Sequence, residues 1–88
     1  MHVKQWRVDV FISEDETTTH AEARLHTEAL TPVTGHGRAR LSPDDDDIPE
    51  IGEELATARA LTDLGHRLLV IASRDIQSVT NRPAHLER

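Results

Sequence analysis

Three consecutive stretches of this chain alternate apolar and polar residues, so each can bury only one of its two faces. Trp6-Arg7-Val8-Asp9-Val10-Phe11-Ile12 alternates over most of its length. Residues 19–27 alternate throughout, with Ala21, Ala23 and Leu25 on one side and His20, Glu22, Arg24 and His26 on the other. In the third stretch Gly37, Ala39 and Leu41 interleave with His36, Arg38 and Arg40. A period of two is the mark of a half-buried strand. The pattern predicts strands at about 5–12, 19–27 and 36–42. Ser13-Glu14-Asp15-Glu16 reads as a charged turn, and Leu30-Thr31-Pro32-Val33-Thr34-Gly35 as a loop punctuated by Pro and Gly. Such short links favour an antiparallel meander. The small inward residues Ala21, Ala23, Gly37 and Ala39 would let a helix lie close against the sheet.

The character changes after Ser42. Pro43 and the acids Asp44, Asp45, Asp46 and Asp47 lead into Ile48-Pro49-Glu50-Ile51-Gly52-Glu53-Glu54-Leu55. Asp47 can cap a helix, Pro49 suits its first turn, and the acids complement the positive end of the helix dipole. Ile51, Leu55, Ala58, Leu61, Leu68, Leu69 and Ala72 fall on one helical face, with Arg59, Asp63, His66 and Arg67 opposite. A long helix is expected over about 49–73. Ser73-Arg74-Asp75 then looks like a new helix start, and a short helix over about 75–80 would turn Ile76 and Val79 inward before Pro83 ends regular structure. Residues 67–72, rich in β-branched and aliphatic side chains, also fit a fourth strand, although the helical stripe runs through them in register. The predicted class is α+β: one domain over 1–88, two layers, β-β-β-α(-α), with a three-stranded antiparallel meander under a long helix.

A core built this way is small and aliphatic, since the hydrophobic share is 36% and the aromatic share 2%. Cys is absent, so no disulfide or thiolate metal site can staple it. Such a domain often gains stability by burying more apolar surface against a partner. The N-terminus has no apolar run resembling a signal peptide, and Leu68-Leu69-Val70-Ile71-Ala72 is far short of the roughly 20 residues a membrane helix needs. A soluble, cytoplasmic protein without membrane association is expected.

Catalytic chemistry finds little support. There is no Gly-x-Ser-x-Gly elbow and no glycine loop for phosphate. Thr17-Thr18-Thr19-His20 pairs hydroxyls with an imidazole, but at an exposed strand end. His20 and His26 are about 20 Å apart along a strand, too far for one metal, and the acids at 44–47 lack the spacing of a calcium loop. No enzyme, cofactor, metal site or small-molecule substrate is expected.

The outer sheet face is the candidate partner-binding surface. Arg7, Arg24, Arg38 and Arg40 share it with His20, His26 and His36, against Asp9 and Glu22. Four guanidiniums less two carboxylates leave a local +2 on a chain of net charge −6. Arg7, Arg24, Arg38, Arg40, His26 and His36 are the candidate contacts. This face could be a lattice of ion pairs such as Arg24 with Asp9, a dimer face, or a surface for RNA phosphates. Leu64, Leu68, Leu69, Val70 and Ile71 wrap more of the helix than one small sheet can cover, and three strands leave open edges. Together they predict a two-fold homodimer.

Trp6-Arg7-Val8-Asp9-Val10, Ala21-Glu22-Ala23-Arg24-Leu25, Gly35-His36-Gly37-Arg38-Ala39-Arg40-Leu41, Pro49-Glu50-Ile51-Gly52 and Asp75-Ile76-Gln77-Ser78-Val79-Thr80 resemble a family of small actinobacterial proteins of unknown function. The likeness runs from about Gln5 to Leu86. It implies a fold similar to double-stranded-RNA-binding domains, homodimers, expression linked in some members to stress or dormancy, and a shape likened to ribosome hibernation factors. It brings no catalytic residues. The acids before and in the first helical turn have the wrong sign for the phosphate contacts that end of the helix makes in duplex binders. The expectation is a non-enzymatic homodimeric interaction protein, with ribosome or RNA as partner; the alternative is an RNA- or DNA-binding module using the Arg and His face.

Overall fold

A computed structural model describes residues 1–40 and 49–80. The chain runs β1 (Arg7–Asp15), β2 (Thr18–His26), β3 (Val33–Arg40) and α1 (Pro49–Thr80). The strands form one antiparallel sheet in the order β1-β2-β3, with α1 across one face. The predicted β-β-β-α order and the meander are what the chain forms.

Register assigns the two faces. Val8, Val10 and Ile12 stand opposite Leu25, Ala23 and Ala21, which in turn stand opposite Val33, Gly35 and Gly37. All of these side chains or glycine positions point toward α1. Arg7, Asp9 and Phe11 pair with His26, Arg24 and Glu22 on the outer face.

The first hairpin is tighter than expected. Ser13, Glu14 and Asp15, read as a turn, belong to β1 and pair with His20, Thr19 and Thr18. Only Glu16 and Thr17 connect the strands, and Glu16 takes the left-handed conformation (φ 50°) such a reversal demands.

β3 likewise starts earlier than its alternation predicts, at Val33, and includes Gly35 of the expected loop. A Cβ on Gly35 would lie 2.5 Å from the Ala60 carbonyl oxygen and against the Leu64 amide. One on Gly37 would strike the Ala56 carbonyl and the Ala60 amide. Here Gly marks close approach of two backbones rather than a turn.

That approach decides which helical face is buried. Ala56, Ala60 and Leu64 are buried against Ala21, Ala23, Leu25 and Ala39, with Leu68 and Val33 packed at one end. Of the face expected inward, Leu55 and Leu61 are 44% exposed, and Ile51 and Ala58 are exposed too. A glycine-floored sheet accepts only a helical ridge of small residues, so the Ala56-Ala60 ridge displaces the bulkier stripe. The contact glycines also fix direction. Gly37 meets Ala56 and Ala60, and Gly35 meets Ala60 and Leu64, so α1 runs antiparallel to β3.

α1 is a single helix. It passes through Gly65, residues 67–72 and Ser73-Arg74-Asp75 without a break, so neither the fourth strand nor a separate helix over 75–80 exists. Between Gly65 and Thr80 there is no Pro or Gly to interrupt the i to i−4 ladder. Its 32 residues span about 48 Å, against about 26 Å for the 8 residues of β3. The turns after Leu68 therefore overhang the sheet, and Ile76 and Val79, expected inward, are 41% and 86% exposed. The predicted end of the third strand at 41–42, the Asp47 cap and the stop at Pro83 lie outside the described residues.

Candidate functional site

The strict alternation of β2 places His20, Glu22, Arg24 and His26 on the outer face, and register brings the β1 and β3 side chains beside them. Asp9 meets two basic side chains, with Arg7 Nε at 3.2 Å and His26 Nε2 at 3.1 Å. The Arg24 guanidinium lies 4.4 Å from the centroid of the Phe11 ring and bonds Glu22, two residues before it on the same strand. It does not pair with Asp9, the cross-strand partner that the ion-paired reading of this face offers. Phe11 stands opposite Glu22, so stacking on the ring carries the guanidinium toward that carboxylate. His36 Nδ1 is 3.9 Å from the same carboxylate. These exposed pairs contribute roughly 0–1 kcal/mol each.

The six candidate contacts therefore divide. Arg7, Arg24 and His26 are engaged by Asp9 and Glu22, and His36 borders Glu22. Among the described residues, Arg38 and Arg40 have no acidic partner, so the face's surplus charge sits on β3. His26 and His36 are not neighbours. His36 faces Glu22, four positions along β2 from His26, a separation of about 13 Å. No three His, Asp or Glu side chains among the described residues converge as a metal site.

The two sheet edges differ sharply. At β3, the His36 amide donates to Asp63 Oδ2 at 2.8 Å, and Arg59 Nη1 donates to the Arg38 carbonyl oxygen at 2.8 Å. The helical stripe predicts both helix residues on the face opposite the core; they cap this edge. Asp63 also accepts from Arg67 Nε at 3.0 Å. The His36 amide, and secondly Arg67, hold its carboxyl below the usual 3.8. Only the i, i+4 pairing of Asp63 with Arg67 is visible in sequence; the bonds to β3 join positions 27 and 21 residues apart.

The capped amide also fixes the other edge. Because His36 points its main chain away from β2, Glu22 opposite it points toward β1, where Phe11 pairs with it. Alternation then aims the main-chain groups of Val8, Val10 and Ile12 off the open edge of β1. Their side chains are also uncovered. α1 lies over β3 and β2 and barely reaches β1, leaving Val8, Val10 and Ile12 40%, 37% and 44% exposed. Val70 and Ile71 on the overhanging helix are similarly open. No described helix is long and apolar enough to cross a membrane.

The comparisons with known proteins match this architecture. The uncharacterized protein MT1780 of Mycobacterium tuberculosis (strain CDC 1551 / Oshkosh) is 51% identical over 86 residues, spanning 97% of this chain and 90% of that one. The uncharacterized protein Rv2632c of Mycobacterium tuberculosis (strain ATCC 25618 / H37Rv) is 44% identical over 80 residues, 91% of this chain and 85% of the relative. The crystal structure of Rv2632c superposes with a TM-score of 0.84 at 42% identity, covering 94% of this chain and 98% of that chain. Residues 4–85 match the Rv2632c-like family, and the chain belongs to it.

Proposed function

We propose that this chain is a non-enzymatic interaction module that works as a homodimer with β1 as its seam. One observation carries the reading. The only sheet edge without a side-chain cap among the described residues is also where the sheet's apolar face is uncovered, at Val8, Val10 and Ile12. Antiparallel pairing of two β1 edges would satisfy their free main-chain groups and join the two apolar strips into one floor between two helices. Light scattering at roughly tens of micromolar tests it: a mass near twice the 9.9 kDa chain supports the seam, and the single-chain mass sinks it.

Nucleic acid is the second reading, and Arg38 and Arg40 favour it, being guanidiniums of the outer face without an acidic partner among the described residues. The implied likeness to double-stranded-RNA-binding domains does not extend to charge. The first turns of α1 carry Glu50, Glu53 and Glu54 where a duplex binder needs cations. A ribosome-docking role, like the link to stress or dormancy, comes from the family resemblance, with the same two arginines as its physical support. Sedimentation with ribosomes across a salt series tests it: co-sedimentation lost at higher salt and abolished by Arg38→Glu with Arg40→Glu supports docking, whereas none at low salt removes it.

A further inference from the structure

We propose that the outer side of the β3 edge holds a phosphate-type anion of small-molecule size between Arg38, Arg59, His20 and His36. An open depression of about 490 Å³ lies there, lined by these four side chains and the backbone of Gly37. That is within the size range of small-ligand sites. Among the described residues, two guanidiniums and two imidazoles border it, and no carboxylate does. On a chain of net charge −6, a concave surface whose described charged and titratable lining is all basic is the opposite of the average surface.

The two arginines are placed for different reasons. Arg59 gives Nη1 to the Arg38 carbonyl oxygen, which orients its guanidinium while leaving other N–H donors to face the depression. Arg38 carries no hydrogen bond or ion pair from its side chain among the described residues. Two carboxylates of the described residues on this side are held by other cations: Glu22 by Arg24 and Asp63 by Arg67. Four donor groups around one dent suit one phosphate or a diphosphate, whereas a polymer backbone calls for a track of cations. An adjoining lobe shares His20, His36 and Gly37 and adds Phe11, Ser13 and Glu22, which gives room for a group carried by the phosphate. The site lies at the edge opposite the β1 seam and stands whether or not the chain dimerises.

The test is a two-dimensional NMR titration of the full chain with inorganic pyrophosphate and, separately, ADP, with ionic strength held constant by sodium chloride. Saturable shifts centred on His20, His36, Gly37 and Arg38 are expected. Arg38→Gln should weaken binding about tenfold, as loss of a charge-assisted hydrogen bond does. His20→Gln should weaken it too, and Lys4→Gln, far from the depression, should leave it unchanged. Tighter binding of ADP would place its nucleoside in the lobe beside Phe11, whereas equal binding would make the phosphates alone the ligand; both support the site. Non-saturating shifts spread over all basic residues, or equal affinity in Arg38→Gln, would overturn it. So would a short single-stranded RNA that binds where pyrophosphate does not.

Discussion

Asp63, in the middle of α1, accepts the main-chain amide of His36 on β3 at 2.8 Å. A helix side chain thereby occupies a hydrogen-bonding position that another strand would otherwise take. Arg59 does the same for the Arg38 carbonyl one turn earlier, and the edge of β3 is closed to strand addition. The closed edge sets off the open one, and the asymmetry predicts which side of the sheet meets a partner.

Acid titration isolates the Asp63 cap. Its carboxyl is held below 3.8 by the His36 amide and by Arg67, so the unfolded chain binds the proton more readily than the folded one. Stability from this group is present above the unfolded value, near pH 4, and is lost as pH falls through the lower folded value. Melting temperatures measured from about pH 2.5 to 6 should show Asp63→Asn below the parent at pH 6, with the gap closing in acid. A gap that stays constant across the range contradicts the assignment.

Glycine substitutions should split in sign. Gly37→Ala places a methyl group against the Ala56 carbonyl and the Ala60 amide, which are backbone and cannot step aside. A loss of about 1–3 kcal/mol or more is expected by urea denaturation. Gly65→Ala adds a methyl in open space on a helix and should gain about 0.5–1 kcal/mol. Equal effects at the two sites would contradict the close seating of α1 at Gly37.

These glycines also mark where sequence reading stopped short. β2 was legible because its alternation is strict, so Ala21, Ala23 and Leu25 went inward and His20, Glu22, Arg24 and His26 outward as expected. β3 was half legible: Gly35 resembles a loop glycine to any local rule, and its role depends on a helix that lies 25 residues further on at Ala60. The buried helical face was missed for a related reason. Hydrophobic bulk favours Leu55 and Leu61, but a floor of Gly35 and Gly37 selects Ala56 and Ala60. Arg59 and Asp63 look like solvent-facing charges because their partners are main-chain groups, which carry no sequence signature. Of the candidate contacts, residue type alone could not separate Arg7 and Arg24, engaged by Asp9 and Glu22, from Arg38 and Arg40.

The overhang predicts a stability gradient along α1. Amides around Ala60 and Leu64, packed on the sheet, should exchange with solvent near the global unfolding limit. Amides of the last turns, around Ile76 and Val79, should exchange far faster in the dilute single chain. Uniform protection from one end to the other would show that a partner covers the overhang even at low concentration.

Proline at Val10 separates the seam from the fold. The Val10 amide points off the open edge, so Val10→Pro removes no bond to β2. The variant should retain the circular-dichroism spectrum of the parent and sediment as a single chain. A Val10→Pro protein that stays dimeric places the interface elsewhere.

The most direct test of the β1 seam is hydrogen exchange at Val8, Val10 and Ile12 in the parent protein, followed by NMR at high and low concentration. Slow exchange at all three when concentrated, accelerating on dilution while Ala21 and Ala23 stay protected, is the result predicted for paired β1 edges. Fast exchange at these three amides at every concentration would contradict it.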